Sequence, residues 1–288
     1  MIEGDRSIPF DHPPSEPTVK RRLTLSVCLL LASAASLGAH DLFLRLDSYF
    51  VKAGSTVRVH VLNGTFSKSE GAVARDRLLD VSVVSPAGRT RLDTTDWQAK
   101  GDTARLAVET GTAGTYVIGA SLRPREITLQ GKDFNGYLAS DGLPDVLAAR
   151  RRDGELALPA RERYQKHVKA IVQVGGARTD GYATALGYPA ELVPIDNPYV
   201  LRVGGVLRVR ALVDGEPVAN QLVMSGGRLA SGGRITPRSV RTDSTGIARV
   251  RIGSRGTWYV KFIHMQRATA DTSIDYESKW ATMTFGVR

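Results

Sequence analysis

Cysteine is almost missing: Cys28 is the only one in 288 residues. That excludes an intramolecular disulfide and a zinc site built on thiolates. Aromatic residues make up only 7% of the chain. The basic residues have no aromatics interleaved with them, which argues against a nucleic-acid surface. Beyond residue 39 no stretch approaches about 18 consecutive apolar residues, so no transmembrane segment is expected in the mature chain. Catalytic signatures are wanting too: there is no nucleophile-elbow serine, no HExxH and no cysteine after residue 28. Gly226-Gly227 and Gly232-Gly233 lack the strand-to-helix setting of a phosphate loop. A protein that is not an enzyme is therefore expected. What is present suits a globular chain, with 42% hydrophobic and 24% charged residues. At about 150 residues per domain the length suggests roughly two domains. Lys and Arg number 39 against 29 Asp and Glu, a net charge of +10. The arginines are scattered along the strands, which reads as a solvated basic surface.

Residues 1–39 read as a leader and signal peptide. Lys20, Arg21 and Arg22 precede the apolar run Leu23–Leu31, and small residues follow from Ala32 to Ala39. That is the order of a charged n-region, an apolar h-region and a small-residue exit. Cutting after Ala39 makes His40 the first residue; cutting after Ala34 or Ala35 competes. The segment before Lys20 is polar and proline-containing and reads as a leader extension. Residues 1–39 contain four basic and four acidic residues, so the mature chain keeps +10 and loses its cysteine. Such a chain suits the periplasm, where a free thiol is exposed to oxidation.

The mature part reads as mainly β. From residue 40 to 123, Leu42, Leu44 and Leu46 share one face and Val57, Val59 and Val61 another, with short strands continuing to Ala120. Residues 124–190 break the pattern. Phe134–Arg152 has helical spacing with Pro144 near a helix start, and Arg150–Arg152 suit a helix C-terminus. Tyr164–Val174 reads as a strand, with a helix the alternative. From 191 to 288, Leu207–Leu212, Gln221–Met224, Ala248–Ile252, Thr257–Met265 and Lys279–Val287 are strands, and Asp214-Gly215 and Asp243–Gly246 are turns. The organisation predicted is an N-terminal β-sandwich (40–123), a partly helical connecting segment (124–190) and a C-terminal β-sandwich (191–288).

Gly215-Glu216-Pro217-Val218-Ala219, Thr242–Ala248 and Gly256-Thr257-Trp258 resemble transthyretin-like or carboxypeptidase-regulatory-like β-sandwich modules. The resemblance implies two Ig/transthyretin-like β-sandwich domains and says nothing of function. More of the chain is similar to the DUF4198 family of exported bacterial proteins. The residues that carry this are Ala39-His40-Asp41-Leu42-Phe43-Leu44, Val51-Lys52-Ala53-Gly54, Tyr164–Ala170, Glu191-Leu192-Val193-Pro194, Asn197-Pro198-Tyr199, Lys261–Met265 and Glu277–Thr282. Members are often labelled nickel-uptake, substrate-specific components. The resemblance thus implies metal uptake, with an inner-membrane transporter or outer-membrane receptor as partner.

Five histidines decide how far a metal can be placed. His12 leaves with the leader. His60 lies between Val59 and Val61 and reads as a surface residue. If Lys52–Ser55 is a hairpin turn, His40 pairs near position 67, and His60 lies roughly 23 Å along the strand at about 3.3 Å per residue. His167 reads as a surface or structural residue. His40 has the parity of Leu42, and as an N-terminus it offers an amine and a ring nitrogen to one ion. His264 and Glu277 share a face near one loop end. His40, His264 and Glu277 are therefore the candidate ligands for a divalent transition metal: nickel, cobalt, copper or zinc, with copper favoured by affinity order. An imidazole ligand must be neutral, so binding should weaken below about pH 6.5. The alternative for His264 and Glu277 is a structural hydrogen-bonded pair. A copper brace as in oxidative polysaccharide enzymes is a further alternative, and a non-catalytic envelope module that binds protein or glycan is another. Trp258 and Trp280 are expected in the core or an interface.

Overall fold

Alternation of buried residues with exposed or half-buried ones along residues 56–61, 104–109 and 206–211 marks strands with one face on a core. The computed structural model describes Met1 and residues 40–288; the leader, the signal peptide, Cys28 and the cut after Ala39 lie outside the described residues. The chain divides into Met1–Ser36 and Leu37–Arg288, and the fold described is that of the second unit.

The strands of the first half are β1 (Asp41–Leu46), β2 (Phe50–Val51), β3 (Thr56–Gly64), β4 (Leu78–Ser85), β5 (Gly88–Arg91), β6 (Gln98–Lys100), β7 (Thr103–Glu109), β8 (Gly114–Leu122) and β9 (Arg125–Leu129). Helices α1 (Gly131–Ser140) and α2 (Pro144–Arg152) follow, then β10 (Ala160–Val174). The remainder is β11 (Ala190–Pro194), β12 (Val206–Val213), β13 (Glu216–Pro217), β14 (Leu222–Leu229), β15 (Arg234–Arg241), β16 (Ile247–Arg251), β17 (Gly256–Arg267) and β18 (Tyr276–Val287). The described unit is mainly β, as the sequence predicts.

The strands form three sheets. One runs β1-β3-β7-β6, and another has β12 flanked by β11, β13 and β16. The third has ten strands in the order β15-β14-β17-β18-β10-β8-β4-β5, with β2 and β9 also paired to β10. This large sheet departs from the organisation predicted from sequence. The expected N-terminal and C-terminal strands join a single sheet, and the strand that joins them, β10, comes from the segment expected only to connect them. β10 runs parallel to β18, from Glu162 opposite Tyr276 to Ala170 opposite Thr284. It pairs antiparallel with β9 and β8. Its last nine residues, from Lys166 to Val174, are all buried. A strand covered on both faces has no solvent side, so it belongs inside a sheet. One hydrophobic core accordingly takes residues from both halves, Leu44 and Val59 beside Val209 and Phe285.

The helices close the other face of that sheet. Phe134, Tyr137 and Leu138 of α1 are buried at helical spacing, against Ile263, Tyr276 and Trp280. Pro144 stands in the first turn of α2, where its missing N–H costs nothing. Of the basic cluster that ends α2, Arg150 is not a solvated charge: it is only 2% exposed. It donates to the carbonyls of Glu155 and Leu158, both at 2.7 Å, and lies 4.9 Å from the Phe134 ring centroid. Trp258 and Trp280 are both buried, as expected.

The turns follow their residues. Asp214 and Gly215 both have positive φ, 51° and 86°, the geometry of a two-residue hairpin turn that links β12 to β13. Gly227 sits at an irregularity of β14, where a Cβ would stand 2.0 Å from the Thr257 carbonyl oxygen. The Gly226-Gly227 pair thus serves close strand approach.

Where β10 meets β11, the Lys169 ammonium reaches Glu191 Oε1 at 2.5 Å, with both side chains 2% exposed. Glu191 also accepts from the backbone N–H groups of Leu186, Gly187 and Tyr188. Removing one member of a buried pair strands the other's charge, at a cost of about 3–5 kcal/mol. Glu191→Ala is expected to lose this much in a urea titration, and more than Lys169→Met does. The carboxylate left by Lys169→Met keeps three N–H donors, whereas the ammonium left by Glu191→Ala keeps none of its charge partners.

Candidate functional site

His40 directly precedes β1, and two buried lysines fix its position. Lys166, from the neighbouring β10, donates to the His40 carbonyl oxygen. The next residue, Asp41, receives Lys261 at 2.5 Å; Lys261 also reaches Asp141 at 3.0 Å. Burial alone would lower the Lys261 ammonium, but the two carboxylates hold it above its ordinary value. The His40 ring stays partly open, 30% exposed, with Nδ1 3.3 Å from Glu70 Oε2. β1 pairs with β3 so that Asp41 faces Gly64 and Arg45 faces His60. The hairpin is therefore tighter than the sequence expectation of a partner near 67. His60 turns to Asp47, at 2.7 Å.

His264 lies in β17 opposite Lys279 of β18, and Glu277 stands opposite Gln266. The two share a face, as parity predicts, but they find different partners. Gln221 donates its amide to the carbonyls of Leu222 and Ile263, so its Oε1 is an acceptor. The His264 Nδ1–H therefore donates to Gln221 Oε1, at 3.1 Å, and leaves Nε2 with its lone pair. Burial lowers the protonation of this ring, and Lys279 across the strand lowers it further. Glu277 lies 3.6 Å from Arg163. Among the described residues no hydrogen bond or ion pair joins any two of His40, His264 and Glu277. Nor does any group of three His, Cys, Asp or Glu side chains among them have the closeness to hold one ion. Sequence parity finds a shared face; it does not find Gln221, Arg163 or Glu70, because each comes from a distant element.

His167 is buried in β10, with Nδ1 2.9 Å from Ser121 Oγ and Nε2 unpartnered. Burial, with Lys279 adding to it, pushes its pKa down to about 3. Nearby, Glu162 accepts from Tyr137, at 3.1 Å, and from Ser278, and Trp280 Nε1 donates to Ser278 Oγ at 2.8 Å. The Tyr137 and Trp280 rings stack at 5.8 Å, 8° from parallel.

Two openings carry cations. A groove of about 760 Å³ is lined by Phe50, Tyr199, Lys52, Arg178, Arg202 and Arg288, among others, and by no Asp or Glu among the described residues. A cavity of about 160 Å³ lies against Arg77, Arg125, Lys166, Tyr164 and Asn63, again without a carboxylate.

The His167 ring carries a pH signature. Its folded value, about 3, lies below the ordinary 6.5. Its contribution to stability is therefore complete above pH 6.5 and is lost as pH falls from 6.5 toward 3. The size is on the order of a few kcal/mol. Thermal melts between pH 7 and 4 should show a steep loss in the parent, and a shallower one in His167→Gln, which cannot take up the proton.

No helix among the described residues is long and apolar enough to cross a membrane. No curated protein matches the chain. A family profile described as a domain of unknown function, DUF4198, matches residues 37–266, from ahead of β1 to within β17. With that match spanning most of its length, the chain belongs to the DUF4198 family.

Proposed function

We propose that this is a periplasmic, non-catalytic protein that binds a divalent transition-metal ion at the start of β1 and hands it on during metal uptake. The observation that carries the reading is the His40–Glu70 contact. Two ligands at about 2.0–2.1 Å from one ion stand about 3 Å apart, and Nδ1 and Oε2 are 3.3 Å apart. Cleavage after Ala39 would add the α-amine, which chelates together with Nδ1 of the same residue. Three donors then come from only two residues. The pinned carbonyl of His40 and the anchored Asp41 hold the chelate in place. Nitrogen and oxygen donors of this kind suit copper, nickel, cobalt or zinc. In this reading His264 and Glu277 stay with Gln221 and Arg163, and the lysine opposite His264 disfavours a cation there. An inner-membrane transporter or outer-membrane receptor would be the recipient.

The alternative reading is a non-catalytic envelope interaction module that binds protein or glycan through the surface of its β-sheets. It is favoured by the basic groove. There Tyr199 meets Phe50 edge-on at 5.0 Å, and Arg288 lies 3.8 Å from the Phe50 centroid. Val200 beside them is 59% exposed. Aromatic faces framed by cations suit an acidic glycan or an acidic protein segment.

Calorimetric titration with copper, nickel, cobalt and zinc tests the metal reading. The chain beginning at His40 should bind one ion. One extra residue ahead of His40, or Glu70→Gln, should weaken binding by about tenfold or more, and His264→Ala should leave it unchanged. Equal titration by the extended and unextended chains would sink the proposal. The groove reading predicts metal-independent sedimentation with cell-wall material, reduced by Arg178→Ala with Arg202→Ala. Full retention by that pair of substitutions would remove it.

A further inference from the structure

The 160 Å³ cavity has no part in the metal reading, and its chemistry is of the opposite sign. Lys166 is 6% exposed, so its ammonium is almost wholly removed from water. A buried charge is ordinarily paired. Among the described residues, however, no carboxylate lies within 4 Å of it. Its contacts are the His40 carbonyl and the faces of Tyr164 and Trp280, at 5.2 and 5.0 Å from their centroids. Arg77 is half-buried and likewise lacks a carboxylate within ion-pair distance among the described residues. It donates to the Arg123 carbonyl at 3.0 Å, while its buried Nε has no partner. Arg125 completes the wall, directly opposite Tyr164 in the β9–β10 pairing and so beside Lys166, two residues on. None of the three cations has an ion-pair partner among the described residues, whereas the other two buried lysines, Lys169 and Lys261, each meet a carboxylate.

We infer that this cavity is a binding site for a small oxyanion, a phosphate, a sulfate or a short carboxylate, held by Arg77, Arg125 and Lys166. Two guanidinium groups offer planar, paired donors that match an oxyanion's oxygens, and the lysine adds a compact charge from below. Asn63 and the Tyr164 ring complete a lining without a competing carboxylate. The volume admits a group of a few heavy atoms and excludes a nucleotide or an extended chain. Of the three cations, Arg125 is exposed, Arg77 half-buried and Lys166 buried.

The test uses the full chain, treated with chelator so that no metal takes part, at constant ionic strength. Inorganic phosphate, sulfate, acetate and succinate are titrated by calorimetry, with a thermal melt at each concentration. One anion per chain is expected to bind and to raise the melting temperature, and the order among the four probes identifies tetrahedral or planar preference. Arg77→Gln and Lys166→Met should each weaken binding at least about tenfold. Arg58→Gln, an exposed arginine of β3, should not change it. Arg125→Gln guards against a folding defect, since its side chain is exposed, and it too should weaken binding. Absence of saturable binding by all four anions overturns the inference. So does binding that survives Arg77→Gln and Arg125→Gln, or binding lost equally in Arg58→Gln. The chain with an extra residue before His40 should bind the anion as the unextended one does, so failure of the metal site and failure of this site are told apart.

Discussion

β10 carries Glu162, Lys166, His167, Lys169 and Gln173 through the interior of the molecule, and every one of them is buried. A polar group in that position must find a partner or pay several kcal/mol for the loss of water. The surrounding segments are fixed by those partners. Glu162 receives Tyr137 of α1 and Ser278 of β18. His167 holds Ser121 of β8, and Lys169 holds Glu191 of β11. Gln173 accepts from Thr115 at 3.1 Å and donates to the Ala177 carbonyl at 2.6 Å. Lys166 reaches the main chain at His40. Helix α1, the residue that precedes β1 and the sheet that contains β11 are thus each tied to one side chain of a single strand.

That arrangement explains how a metal-binding proposal and an anion-binding inference arise within one neighbourhood. Lys166 meets the backbone of His40 on one side and a cavity without carboxylates on the other. On the metal side the side chains next to His40 are acidic, with Glu70, Asp41 and Asp141 all near the start of β1. On the cavity side they are basic. Lys261 takes up Asp41 and Asp141, while Lys166 is left without a carboxylate within ion-pair distance.

Much of the fold was legible in the sequence. The alternation of Leu42, Leu44 and Leu46, of Val57, Val59 and Val61, and of Leu207, Val209 and Ala211 follows from the two-residue repeat of a strand. The helical spacing of Phe134–Arg152 is local in the same way, and the structure divides that stretch into α1 and α2. The site was less legible. Parity placed His264 and Glu277 on one face, yet Gln221 and Arg163 claim them, and Glu70 stands by His40. Those partners lie 43, 114 and 30 residues away along the chain, so no spacing rule reaches them.

By itself, then, the sequence determined strand and helix positions, turn geometry at Asp214-Gly215 and the family, because each depends on neighbours along the chain or on local motifs. Tertiary structure alone decided that the two halves share one sheet. Sheet order depends on which strands lose both faces to other layers, and β10 announces only that it is apolar toward its end. Tertiary structure also decided which charges are paired. A lysine's spacing says nothing about whether a carboxylate from a distant strand will meet it, and Lys261, Lys169 and Lys166 look alike in sequence. Two of them were given carboxylates and one was not, because pairing is settled by the low-dielectric interior that forms only when all the strands are in place.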